Sequence, residues 1–264
     1  MAMADIQGAR LRYTITGDGA PLVLLLPQST GPAGRQPLVD ALALRHSVIT
    51  YDQRGTGGSS PAPAALAMAD QAADVVGLLD ALGLEHAHLL CHSTGCGIGL
   101  SLAASYPERV GALVLAAPWT YADTHLSTMQ NLRKAAARAL DAQQYARFNA
   151  ALLFPPEFRR ADEAGFTRLA VEAPSQPQDP DAFAARLDAI LAFDARPLLS
   201  AIRCATLVTV ATDDQLMPAW FAAEAASGID AAEFVEFDGG GHMLPETRTA
   251  EWLASVLEFL QRRA

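Results

Sequence analysis

The run His88-Leu89-Leu90-Cys91-His92-Ser93-Thr94-Gly95-Cys96-Gly97 carries an apolar, strand-like stretch straight into a serine flanked by small residues and then into a helix-like segment. A serine hydroxyl in water is a poor nucleophile, so a chain that uses one must hold it on a tight turn, clear of a sheet and within reach of a base. Such a strand-to-helix turn forces the serine backbone into a sparsely populated region and crowds together the residues two before and two after it. Gly95 meets that demand for a small side chain, and Cys91 meets it only approximately, in place of the first Gly of the usual Gly-x-Ser-x-Gly pattern.

Partners for the serine follow in chain order. Phe234-Val235-Glu236-Phe237 reads as a short buried strand, and Asp238-Gly239-Gly240-Gly241-His242 after it as a glycine turn that delivers a histidine from a loop. Upstream, Thr206–Val210 reads as another buried strand, followed by a loop, Ala211 to Pro218, that holds Asp213 and Asp214. Either aspartate could orient the histidine. Asp238 is a remote third candidate, because it precedes the glycine run. The order Ser, Asp, His differs from that of trypsin-like and subtilisin-like chains. His92 adjoins the serine but is expected to point away from it across the turn, and His46, His86, His88 and His125 have no partner motif.

With 264 residues, 51% of them hydrophobic and 18% charged, the chain fits one α/β domain carrying an insertion. Twenty-nine acidic residues against 19 basic ones, a formal charge of −10, leave no basic stripe, which argues against nucleic acid or an anionic membrane as partner. The N-terminal stretch has no apolar core of signal-peptide length, so a cytoplasmic protein acting on a small molecule, as monomer or homodimer, is expected. Cys91, Cys96 and Cys204 are odd in number and lack C-x-x-C spacing, so they read as buried free thiols, with neither a disulfide framework nor a metal site implied.

Strand-like runs at Arg10–Thr16, Leu22–Leu26, Ser47–Tyr51, Ala87–Cys91, Ala112–Leu115, Thr206–Val210 and Glu233–Phe237 alternate with helix-like stretches such as Pro61–Leu82, Gly97–Tyr106 and Thr247–Arg262. That alternation predicts an α/β fold: a mainly parallel sheet covered by helices on both faces. From about Trp119 to Pro197 no strand is evident, only helix-prone segments interrupted by Phe154-Pro155-Pro156 and by the proline cluster 174–180. The expected organisation is therefore a core of residues 1–118 and 198–264 with an all-helical cap, 119–197, over the serine turn.

On these residues the chain resembles the α/β-hydrolase family across nearly its whole length. Tyr51-Asp52-Gln53-Arg54-Gly55-Thr56-Gly57 is similar to the family's Asp-x-Arg-Gly-x-Gly loop, and Tyr106-Pro107-Glu108-Arg109-Val110 to its Tyr/His-Pro-x-Arg-Val link. The first of these loops, the segments 152–158 and 201–204 and the acid loop 213–218 look most like the aminoacrylate (carbamate) hydrolases of pyrimidine degradation; the 3-oxoadipate enol-lactonases are similar too. The resemblance implies Ser93 as nucleophile and His242 as base. It implies Asp214 as the orienting carboxylate, because the family places that group four residues before a helix-starting proline, here Pro218. It also implies an oxyanion hole made by the backbone N–H of Thr94 and, with Pro27-Gln28 standing where relatives have His-Gly, that of Ser29. Pro27 itself has no N–H to give.

The expected activity is cofactor-independent cleavage of a small ester, lactone, amide or carbamate through an acyl-enzyme. The same triad supports carbon–carbon bond hydrolysis or perhydrolysis, and a non-catalytic small-molecule receptor on the same scaffold is the alternative from another class. A dehalogenase is disfavoured, since that chemistry in this fold uses an aspartate where Ser93 stands. The cap aromatics Trp119, Tyr121, Phe148, Phe154 and Phe158 read mainly as cap packing, any of which could also touch substrate, and Trp119 and Phe154 are the candidates put forward for the pocket wall. Arg133, Lys134, Arg138 and Arg147 crowd one helix-prone stretch of an acidic protein, and Arg133 and Arg147 are candidates to face the substrate.

Overall fold

The computed structural model describes residues 1–27, 31–63, 66–175 and 179–263. Within them a single sheet is formed by β1 (Ala2–Ile6), β2 (Ala9–Thr16), β3 (Ala20–Leu25), β4 (His46–Tyr51), β5 (Ala87–His92), β6 (Val110–Ala116), β7 (Ala205–Ala211) and β8 (Glu233–Phe237). The spatial order is β1-β2-β4-β3-β5-β6-β7-β8, antiparallel at the β1/β2 and β2/β4 pairs and parallel from β4 to β8. All six residues of β5 are buried, as a strand flanked on both edges and covered on both faces requires.

Helices α1 (Gln36–Ala43), α2 (Met68–Ala81) and α3 (Thr94–Ser105) come from the first half of the chain. Six more lie between β6 and β7: α4 (Thr124–Ala139), α5 (Ala142–Leu153), α6 (Pro156–Ala161), α7 (Glu163–Glu172), α8 (Pro180–Ala192) and α9 (Arg196–Leu199). Then follow α10 (Ala219–Gly228), α11 (Leu244–Thr247) and α12 (Thr249–Gln261). Side chains of α2, α3 and α10 fill the core on one sheet face, and Val39 and Leu42 of α1 with Trp252, Val256 and Phe259 of α12 fill it on the other. The mainly parallel, doubly covered sheet expected from the alternation is thus what the chain forms.

The prolines of the 154–180 region open helices as well as closing them. Pro156 and Pro180 occupy first-turn positions of α6 and α8, where a missing N–H costs nothing, and Asp179 caps α8 by accepting from the Asp181 N–H at 2.9 Å. Asp123 and Asp141 cap α4 and α5 in the same way. The chain enters and leaves this helical segment at one place: the Ala195 N–H donates to the Thr120 carbonyl at 2.6 Å.

Two expectations are corrected. The helix expected from Pro61 starts only at Met68: Pro61 and Pro63 disfavour helical geometry at Ser60 and Ala62, and Ala67, extended at ψ 162°, is the N-cap. β1 was not foreseen: it is a short edge strand with one buried residue of five, too exposed to leave an apolar pattern.

Candidate active site

Ser93 stands where β5 turns into α3, with φ 53° and ψ −122°, a strained conformation for a residue with a Cβ. The turn is pinned from both sides. The Ser93 N–H donates to the Ala116 carbonyl of β6 at 2.9 Å, and the Ser93 carbonyl accepts from the Cys96 N–H at 2.7 Å. α3 lies so close to the sheet that a Cβ on Gly95 would overlap the Leu25 carbonyl and one on Gly99 would overlap the Cys91 Sγ. Cys91 therefore fits the elbow because Gly99, a turn further along the helix, leaves room for its sulfur.

His242 arrives on a loop whose three preceding residues, Gly239, Gly240 and Gly241, all have positive φ (78°, 127° and 64°), which side-chain-bearing residues resist. Three consecutive residues of the β7 loop hold that loop. Thr212 Oγ1 accepts from the Gly239 N–H at 3.1 Å, Asp213 Oδ1 from the Gly241 N–H at 2.7 Å, and Asp214 Oδ2 from His242 Nδ1–H at 2.8 Å. The other oxygen of Asp214 accepts from the Leu216 and Met217 N–H groups, both at 2.9 Å. With Nδ1 donating to the carboxylate, Nε2 is left to accept from the Ser93 hydroxyl, 2.7 Å away. Of the two competing aspartates, Asp214 meets the imidazole and Asp213 braces the loop beneath it.

His92, expected to point away from the serine in a structural role, packs its ring 5.5 Å from that of His242 and donates Nε2–H to the His242 carbonyl at 2.8 Å. Burial and the neighbouring His242 ring push its pKa down to about 3, against a smaller opposing effect of that hydrogen bond. His92 is therefore a neutral prop. Its place next to the serine was the available signal, since a residue ending β5 must lie beside whatever the neighbouring loops bring to the turn.

Thr94 begins α3, so its N–H faces out from the helix N-terminus, and Thr94 lines the same cavity as Ser93 and His242. Ser29, the other oxyanion candidate, lies outside the described residues. Just past it, the Gly31 N–H donates to Glu246 Oε2 at 2.8 Å, and the Arg35 guanidinium donates to the Pro27 carbonyl. Burial raises the Glu246 carboxyl, opposed by the Gly31 and Ala33 N–H groups.

The cavity over Ser93 has a volume of about 70 Å³. Its roof is Arg133 of α4 with Phe183, Arg186, Leu187 and Ile190 of α8, and Leu216, Met217 and Met243 form apolar walls. Of the four pocket residues expected, only Arg133 lines it. Trp119 is wholly buried against α3 and Phe193, filling space beside Gly97. Phe154 packs with Phe158 and Phe166 at ring distances of 5.7 and 5.0 Å. Arg147 projects into solvent from α5. Residues 183, 187 and 190 recur at i, i+4 and i+7, so the α8 face was legible as one apolar stripe, though what it covers was not.

Three comparisons bear on this arrangement. A family model described as alpha/beta hydrolase fold matches residues 21–249. The chain is 34% identical over 234 residues to a protein of Azorhizobium caulinodans named as a carbamate hydrolase, RutD, covering 89% of this chain and 88% of that one. A Variovorax paradoxus protein of the same name is 34% identical over 264 residues, with 96% of each chain covered. Among solved structures, the enol-lactonase of Burkholderia xenovorans superposes with a TM-score of 0.87 at 25% identity, covering 98% of this chain and all of that one.

Proposed function

The chain belongs to the α/β-hydrolase fold family and is a hydrolase; from that premise we propose that it uses Ser93 as a nucleophile to cleave a small ester, lactone, amide or carbamate, without a cofactor. The observation that carries this reading is the unbroken hydrogen-bond chain from Asp214 through His242 to Ser93 at the floor of a cavity. In the first half-reaction His242 Nε2 takes the hydroxyl proton as Ser93 Oγ bonds to the carbonyl carbon. Asp214, held by its two backbone N–H bonds, keeps Nδ1 protonated and stabilises the imidazolium that forms. The tetrahedral oxyanion lies toward the Thr94 N–H, where the positive end of α3 adds to the stabilisation. As the carbonyl reforms, the leaving group departs with the proton from His242. Water, deprotonated by the same nitrogen, then attacks the acyl-enzyme and releases the acid.

The cavity over Ser93, about 70 Å³, is small, which favours a substrate whose reacting end is a small group. The names of the two relatives favour a carbamate, and that of the structural neighbour a lactone. Short-chain esters, enol-lactones and small carbamates are the assay panel, with Ser93→Ala as the deciding variant. Its kcat is expected to fall by about 10⁶, as for loss of other triad serines, with its melting temperature close to wild type. A residual rate above about a thousandth of wild type would overturn the mechanism.

A further inference from the structure

Two spaces meet at the serine turn, and they differ in size and in wall. The cavity over Ser93 has about 70 Å³, and an open groove of about 650 Å³ lies next to it, between α8 and the loop that follows β4. Gln53, Thr94 and Arg186 border both, so the groove continues the cavity at the residue whose N–H faces the oxyanion. His242, Leu216, Met217 and Met243 border the cavity and not the groove.

Ala182, Ala185 and Ala189 of α8 line the groove from one side and Pro61, Ala62 and Leu66 from the other. The charges beside them are satisfied within the protein. Arg54 Nε donates to Asp74 Oδ2 at 2.7 Å, Asp181 accepts from Arg138 at 3.1 Å, and Asp179 accepts from the Asp181 N–H at 2.9 Å. Arg186, at the junction, lies against Phe183, 5.7 Å from the ring centre. Such a wall suits a chain of methylenes, which gains from leaving water and asks for no polar partner.

The triad decides which end of a substrate enters which space. In the tetrahedral intermediate the carbonyl carbon carries Ser93 Oγ, the oxyanion toward the Thr94 N–H, the leaving group and the acyl arm. The leaving heteroatom has to lie within reach of the proton on His242 Nε2, and of the two spaces His242 borders only the small one. The acyl arm then departs on the Thr94 side, where the groove begins. We propose that the groove between α8 and the loop after β4 holds an extended, apolar acyl arm, and that the small cavity holds a leaving group of few atoms. This rests on the serine-hydrolase reading and adds the orientation and shape of the substrate. As the bond from Ser93 Oγ to the carbonyl carbon forms and the bond to the leaving heteroatom breaks, a small alcohol or amine departs with the His242 proton and the larger acyl group stays on the serine.

The test uses two isomeric esters, methyl hexanoate and pentyl acetate, which carry the same pentyl chain on opposite sides of the carboxyl group. Wild type should favour methyl hexanoate in kcat/KM by about ten-fold or more, since a single methylene in an apolar site already discriminates by about that much. This comparison needs no variant. Ala185→Trp, which fills the groove from an exposed position of α8, should lower the ratio of kcat/KM for methyl hexanoate to that for methyl acetate by about ten-fold. Ala151→Trp, exposed on α5 and bordering neither space, should not move it. Equal use of the two isomers, a preference for pentyl acetate, or turnover of neither while shorter esters are hydrolysed overturns the orientation and leaves the hydrolase reading standing. Turnover that survives Ser93→Ala, or none of any substrate in the assay panel, overturns the reading beneath it.

Discussion

On the sheet side of the cavity every polar side-chain atom of Asp214, His242 and Ser93 has a partner, whereas on the helical side Arg133 Nε and Gln130 Nε2 have none among the described residues. The two sides are built from different material. The floor residues sit at the C-terminal ends of parallel strands, fixed to within a hydrogen bond by β6, β7 and β8; the roof residues sit on α4 and α8, which meet the floor through side chains. A floor satisfied in advance suits catalysis, because dipoles that need not reorganise stabilise a developing charge best. A roof left open suits recognition, because its hydrogen bonds are completed only when the right molecule arrives.

The severest test of this contrast is on the floor. Asp214→Asn should lower kcat by about 10⁴, because an amide cannot hold Nδ1 protonated and stabilise the imidazolium as the carboxylate does. Asp213→Asn keeps an oxygen for the Gly241 N–H and should cost less than about ten-fold, well below the loss when a triad member goes. Steady-state kinetics of the two variants decides. The reverse ranking would move the orienting role to Asp213 and break the account of the floor.

Packing should show the same difference in rigidity. Gly99→Ala places a methyl on the Cys91 Sγ between α3 and β5, and should destabilise by about 2 kcal/mol, as overpacking does in tight interiors. Adding Cys91→Ala should recover about 1 kcal/mol or more of that loss, a coupling that urea unfolding of the two single variants and the double variant measures. Strict additivity would mean that the sulfur is not what Gly99 accommodates. On the roof, Lys134→Ala removes an ion pair whose Asp188 partner is 62% exposed, and it should cost about 1 kcal/mol or less.

The same division explains what could be read from the sequence. Ser93, Asp214 and His242 each lie on the turn or loop that follows an apolar strand, so local pattern and chain order pointed to them, and the glycines before His242 announced a loop under conformational demand. The tie between Asp213 and Asp214 was broken by the resemblance alone, because adjacent carboxylates on one loop carry no local mark of which meets the ring. In the roof, Arg133, Lys134, Arg138 and Arg147 look alike in sequence. One lines the cavity, two pair with α8, and one faces water. The rotation of α4 and α8 about their own axes decides this, and that rotation is set by packing between elements far apart in the chain. Trp119 and Phe154 failed as pocket residues for the same reason: an aromatic in a cap is as well used in packing as in a wall.

His92 gives the smallest effect and joins the floor's electrostatics to its stability. Its folded pKa of about 3 lies below the ordinary histidine value near 6.5, because burial and the His242 ring disfavour the charged form. Between those two pH values the unfolded chain takes up a proton that the folded protein refuses, so the stabilisation is complete above about pH 6.5 and is lost progressively as the pH falls toward 3. From pH 7 to pH 5.5 the loss from this one residue should be roughly 1 kcal/mol. Buried His46 and His88, whose pKa values are also lowered by desolvation, add to the same acid limb, so wild type alone cannot isolate it. In His92→Asn the residue-92 contribution disappears while theirs remain. The variant should be less stable than wild type at pH 7, having lost the bond to the His242 carbonyl. The gap should narrow by roughly 1 kcal/mol at pH 5.5 in paired urea titrations. Parallel pH dependences would show that His92 takes up its proton in the folded state, and that the floor is less closed to charge than its hydrogen bonds indicate.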